Sequence, residues 1–99
     1  MKTTFTARHF NASSNLQQYC RDAVEKLGNY YDRIVMCDVI LEPTADDDTP
    51  NQAEIILKVP RKVLTATEAA SSYEQAVHDA VETLSRQLKK YKDKMHATS

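Results

Sequence analysis

Tryptophan is absent from this chain, and glycine occurs once and proline three times in 99 residues. So few backbone breakers exclude a collagen-like, linker-rich or low-complexity chain. With Gly28 alone, no glycine-rich loop can cradle a phosphate, and no motif presents an activated nucleophile or paired catalytic carboxylates. Cysteine is scarce too: Cys20 and Cys37 stand far from CxxC spacing, and no histidine pair completes a metal set. Both thiols are expected to be reduced core residues of a cytoplasmic protein. No apolar run approaches the ~18 residues of a membrane span, and no charged-then-apolar signal stretch opens the chain. An excess of charge of either sign is also missing. The net charge of −1 excludes a uniformly basic nucleic-acid binder, so a role with an anionic partner requires segregated charge.

What is present is organised around the segment from Ser71 to Lys94. Tyr73, Ala76, Val77, Ala80, Val81, Leu84, Leu88 and Tyr91 follow the three-and-four spacing of one helix face. Ser71 with Glu74 reads as a capping box. The polar positions divide along the helix, with Glu74, Asp79 and Glu82 in its first half. Arg86, Lys89, Lys90, Lys92 and Lys94 follow in the second, against a single Asp93. A helix dipole rewards a cation near the C-terminus by roughly 0.3–1 kcal/mol, which explains one or two lysines. Five cations between positions 86 and 94 exceed that need and call for an anionic partner.

Lys2 to Arg8 alternates, with Thr3, Phe5 and Ala7 on one side, and reads as a strand. Ser14 with Gln17 offers a second capping box, ahead of a helical face of Leu16, Cys20, Ala23, Val24, Leu27 and Tyr31. Gly28 falls inside that pattern, costs roughly 1 kcal/mol against alanine, and is expected to end or bend the helix there before Tyr30–Asp32 resumes it. Ile34 to Leu41 is an apolar central strand, and Glu42 to Asn51, with Asp46, Asp47 and Asp48, is an acidic loop. Asp46–Asp48 lacks the spacing and terminal glutamate of a calcium loop and reads as a solubilising tip. Gln52 to Val59 alternates again, Pro60-Arg61-Lys62 makes a basic turn, and Val63 to Ala69 forms a fourth strand with Val63, Thr65 and Thr67 inward.

The expected fold is α+β, in the order β-α-β-β-β-α, with two helices on one face of a four-stranded mixed sheet. Residues 1–95 form a single domain and 96–99 a short flexible tail. The other sheet face is left to solvent, with Thr4, Thr6, Arg8, Met36, Asp38, Ile40, Glu54, Ile56, Lys58, Leu64 and Glu68 on it. The candidate binding set is Arg86, Lys89, Lys90, Lys92 and Lys94. Arg8, Lys58, Arg61 and Lys62 add to the field if the fold brings them near. Such cations track phosphates and carry little base readout. Tyr30, Tyr31 and Tyr91 stand beside cations where they could stack on bases, but their helical spacing favours core or half-buried packing. His9, His78 and His96 read as surface or packing histidines. No cofactor, metal, membrane or small-molecule substrate is expected, and no enzymatic activity.

These elements resemble the ribosome hibernation promoting factor and ribosome-associated translation inhibitor family, over essentially the whole chain. The opening MKTTFTARHF is similar to the family's first strand. Lys26-Leu27 followed by Tyr30-Tyr31-Asp32-Arg33-Ile34 resembles its KL-x-x-Y-aromatic-DRI signature, and Ala53 to Pro60 its third strand. Arg86-Gln87-Leu88-Lys89-Lys90-Tyr91-Lys92-Asp93-Lys94 is very close to its RQL-x-K-x-KDK ending. The resemblance is to the short form, without the domain through which the long form pairs ribosomes.

It implies a fold similar to double-stranded-RNA-binding domains and a site in the tRNA and mRNA channel of the small ribosomal subunit. There the factor contacts rRNA and blocks translation in stress or stationary phase. By position it implicates Arg86, Lys89, Lys90, Lys92 and Lys94, with Arg33 and Lys26 beside them. A second ribosome-dimerising factor is a further candidate partner. The alternatives are a free double-stranded-RNA-binding module and a protein–protein adaptor using the outward apolar positions Met36, Ile40, Ile56 and Leu64.

Overall fold

The protein is described by a computed structural model covering residues 1–97, with side chains described as far as Lys94. The element order is β1 (Lys2–Ala7), α1 (Ser14–Glu25), a 3-10 turn (Lys26–Asn29), β2 (Met36–Pro43), β3 (Asn51–Val59), β4 (Lys62–Ala70) and α2 (Tyr73–Ala97). The sheet runs β1-β2-β3-β4. β1 and β2 are parallel across the α1 crossover, and the remaining pairs are antiparallel. This is the β-α-β-β-β-α mixed-sheet fold expected from the sequence. The tail expected over 96–99 reaches outside the described residues.

Both helices lie on one face of the sheet and enclose the core. Cys20, Val24 and Leu27 from the first helical segment meet Cys37, Val39, Leu41, Ile55 and Leu57 from the sheet. Val77, Leu84 and Leu88 close it from α2. Among the described residues no polar or charged residue is buried. Burial pushes the Cys20 thiol up to about 11, with Glu74 adding to the effect, and the Cys37 thiol up to about 12, with Asp38 adding. Both are buried free cysteines, held as thiols at neutral pH. Phe10 stacks on Tyr73 with ring centroids 4.6 Å apart, tying the β1–α1 loop to the start of α2.

Three expectations need correction. β4 has the opposite phase: Leu64, Ala66 and Ala70 are buried and Glu68 is half-buried towards α2, while Val63, Thr65 and Thr67 face solvent. The cause is the turn. Val59 pairs directly with Lys62, so only Pro60 and Arg61 connect the strands, and Leu57 lies opposite Leu64. Assigning three residues to that turn slips the strand by one and turns every side chain over.

The caps also shift by one residue. The Leu16 backbone N–H donates to Ser13 Oγ at 3.1 Å, and the Gln17 side chain donates to the Ala12 carbonyl at 3.3 Å rather than completing a box with Ser14. At α2 the Gln75 backbone N–H donates to Ser72 Oγ at 3.1 Å. Ala70 is still paired with Asn51 in the sheet, so Ser71 is spent on the connection and the cap passes to Ser72.

The first helix tightens into the 3-10 turn over Lys26–Asn29 and is not resumed at Tyr30. The remaining outward expectations hold. Thr4, Thr6, Met36, Asp38, Ile40, Glu54, Ile56 and Lys58 stand exposed or half-buried on the face away from the helices.

Candidate nucleic-acid interface

α2 descends along β4, and three side-chain hydrogen bonds mark its path. Thr83 Oγ1 donates to Glu68 Oε1 at 3.2 Å, Gln87 Nε2 to the Thr65 carbonyl at 3.2 Å, and the Tyr91 hydroxyl to the Pro60 carbonyl at 2.5 Å. The cationic half of α2 is thereby brought to the β3–β4 turn. α1 connects two parallel strands and must run back along the sheet, so its C-terminal end arrives at the same place. The contact of Lys89 with Tyr30, Nζ 5.3 Å from the ring centroid, joins the two helix ends. Tyr91 also meets Tyr31 edge-on at 5.7 Å, which holds the α1–β2 connection against α2.

The consequence is a basic pole. Lys26 ends α1, and Arg33 lies in the loop leading to β2. Lys58, next to the end of β3, pairs with Met36, the first residue of β2; Arg61 stands in the adjoining turn and Lys62 opens β4. All are exposed, as are Arg86, Lys89, Lys90, Lys92 and Lys94. On a wheel of 3.6 residues per turn, Arg86, Lys89 and Lys90 fall within about 100° of one another, opposite the buried Leu84 and Leu88. Lys92 and Lys94 flank them on either side, and Asp93 sits among them. No carboxylate among the described residues lies within ion-pair distance of Arg86, Lys89, Lys90 or Lys92. Arg86 instead donates to Thr83 Oγ1 at 3.4 Å.

Arg8 does not join this set. It follows the last residue of β1, hydrogen-bonds to the Leu41 carbonyl and pairs with Glu42 at 3.5 Å. By strand rise that is about 20 Å from the level of Lys2 and Met36 at the basic end. One group of acidic residues lies at the Arg8 end, while Glu25, Asp32 and Asp93 are sequence neighbours of cations at the basic end. Asp46, Asp47 and Asp48 occupy the β2–β3 loop, and Glu74 opens α2. The Asp46 carboxylate closes its own loop by accepting from the backbone N–H groups of Asp48 (2.8 Å) and Thr49 (3.1 Å). A net charge of −1 thus conceals two oppositely charged ends.

One residue escaped the sequence reading. Lys2 pairs with Met36 and adds a cation to the basic end, as a parallel crossover requires of the first residue in β1. Tyr30 is half-open, 37% exposed, with one part of its ring against Lys89 and the rest reachable by solvent. His78, Asp79 and Glu82 bring donor atoms within 4.8 Å of one another on α2. His78 and Glu82 are exposed and Asp79 half-buried, and all are already engaged, His78 with Glu82 at 3.3 Å and Asp79 with Gln75 at 2.8 Å, so no metal is assigned to them.

The fold and its charge distribution define a small α+β domain with most of its cations gathered at one end. The chain belongs to the Sigma 54 modulation protein / S30EA ribosomal protein family, whose profile matches residues 3–96. It is 25% identical over 80 residues to the ribosome hibernation promoting factor of Acidithiobacillus ferridurans, covering 81% of this chain and 91% of that protein. The N-terminal domain of Protein Y from Thermus thermophilus superposes with a TM-score of 0.80 at 22% identity, over 92% of this chain and 99% of that one. A ribosomal subunit interface protein from Coxiella burnetii gives 0.83 at 18% identity, over 94% and 99%. At these identities the two structures show a shared fold.

Proposed function

We propose that the protein binds the small ribosomal subunit in the channel where tRNA and mRNA would lie, setting its basic pole against rRNA phosphates. Occupancy of that channel blocks translation and holds the ribosome idle during stress or stationary phase, in the cytoplasm and without catalysis. The names of its relatives, a ribosome hibernation promoting factor and a subunit interface protein, support the reading. The observation that carries it is the gathering of Lys26, Arg33, Lys58, Arg61, Lys62 and the α2 cations at one end. There Arg86, Lys89, Lys90 and Lys92 have no carboxylate from the described chain to neutralise them.

Cations left unpaired on a rigid helix make charge-assisted contacts with phosphate and position a protein without reading sequence. The test is the triple variant Lys89→Glu, Lys90→Glu, Lys92→Glu. All three side chains are exposed, so the fold persists, as circular dichroism will verify. Co-sedimentation with small subunits should disappear. Retained co-sedimentation would overturn the proposal. Preference for naked duplex RNA over intact subunits would favour a free double-stranded-RNA-binding module instead.

A further inference from the structure

A cleft of about 250 Å³ runs between α1 and α2 on the surface away from the sheet. Tyr19, Ala23, Lys26 and Tyr30 line one wall, and Val81 and Ser85 stand on the other. Its size is below the ~300–1,000 Å³ of a pocket for a drug-sized ligand, which leaves room for one planar ring system. Tyr19 and Tyr30, 38% and 37% exposed, are two of the five exposed large hydrophobic residues among the described residues. Aromatic rings half-open beside a cation are the surface on which nucleobases stack.

Charge is ordered along the cleft. Positions 78, 82, 85 and 89 follow three-and-four spacing on α2, so the wall that begins at His78 and Glu82 leads to Lys89. Lys26 and Lys89 mark the end that meets the basic pole, while Asp22, Glu82 and His78 line the cleft itself. A nucleotide has the complementary polarity. Its phosphate is anionic and belongs with the lysines, and carboxylates further in repel it. The Watson–Crick edge of adenine, cytosine or guanine carries amino N–H donors that carboxylates accept, whereas uracil presents two carbonyl acceptors on either side of its one N–H.

From this order we infer that the cleft takes one unpaired, amino-bearing nucleobase from the RNA held at the basic pole, stacked on Tyr19 and Tyr30 with its phosphate at Lys26 and Lys89. The inference rests on the proposed rRNA-binding reading and adds to it a point of base recognition that phosphate contacts alone cannot supply.

The test uses the full chain with purified small ribosomal subunits, probing the Watson–Crick edges of rRNA with dimethyl sulfate, kethoxal and carbodiimide. Wild-type protein should protect one single-stranded adenine, cytosine or guanine in addition to its backbone footprint. Tyr19→Ala should re-expose that base, leave the backbone footprint in place and weaken binding by about tenfold, the order expected for one lost stack. Tyr19→Phe keeps the ring and should restore the protection.

Protection and affinity unchanged in both Tyr19→Ala and Tyr30→Ala would overturn the cleft assignment. A protected uracil would overturn its preference for amino-bearing bases. Either result leaves the basic-pole reading standing as long as the lysine-to-glutamate triple variant abolishes binding. A wild-type protein with no footprint on the subunit would remove both.

Discussion

Arg61 illustrates how single residues trade stability against charge at the basic end. Its φ of 69° lies in the left-handed region, where a side chain costs about 1–2 kcal/mol. Proline followed by a left-handed residue, here Pro60 and Arg61, is the type II turn pattern, in which glycine is the favoured second central residue. Arg61→Gly is therefore expected to raise stability by about 1 kcal/mol and at the same time weaken subunit binding. Urea denaturation and co-sedimentation of the same variant would read both effects, and the two should move in opposite directions. Tyr91 acts differently. Its hydroxyl ties α2 to the Pro60 carbonyl, so the turn carrying Arg61, and Lys62 just after it, stay beside the helix carrying the other cations.

At the level of elements, α2 depends on where it starts. Ser72 accepts from Gln75 N–H, whereas Ser71 is exposed and caps nothing among the described residues. Ser72→Ala should cost about 1 kcal/mol, the usual loss for an N-cap, and Ser71→Ala should be nearly neutral; thermal melts of the two variants compare them directly. The composition around 71 and 72 does not separate these serines. A glutamate three residues after Ser71 points to the wrong one, and the last sheet pair, Asn51 with Ala70, settles the choice. The inverted phase of β4 has the same origin. Val63, Thr65 and Thr67 are good strand residues and Leu64 alternates with them, so pattern alone serves either face until a two-residue turn sets the register. By contrast, the identity of every strand and helix was legible, because period two and period 3.6 are properties of the chain itself.

For the whole molecule, charge separation matters more than net charge. With the acidic β2–β3 loop at one end and the cations at the other, a partner at the basic pole lies further from Asp46–Asp48 than the ~8 Å screening length of physiological salt. Binding should then respond to salt as a basic protein would, despite the net charge of −1. If about four phosphates are engaged, log affinity should fall against log salt with a slope near −3. Titrations of subunit binding across salt concentrations would measure it, and a flat response would contradict a phosphate-based contact.

The sequence by itself determined the elements, their order, the core-facing sides of both helices and the cationic ending of α2. Each of these is written in local spacing, which needs no distant partner. Only the tertiary structure decided which cations act together. It placed Lys26, Arg33, Lys58, Arg61 and Lys62 with the end of α2 and sent Arg8 to Glu42 at the other end. It also opened the cleft between Tyr19, Tyr30 and Ser85. The physical reason is that strand direction and helix docking set these neighbours, and residues separated by thirty or sixty positions carry no local mark of where the sheet will bring them.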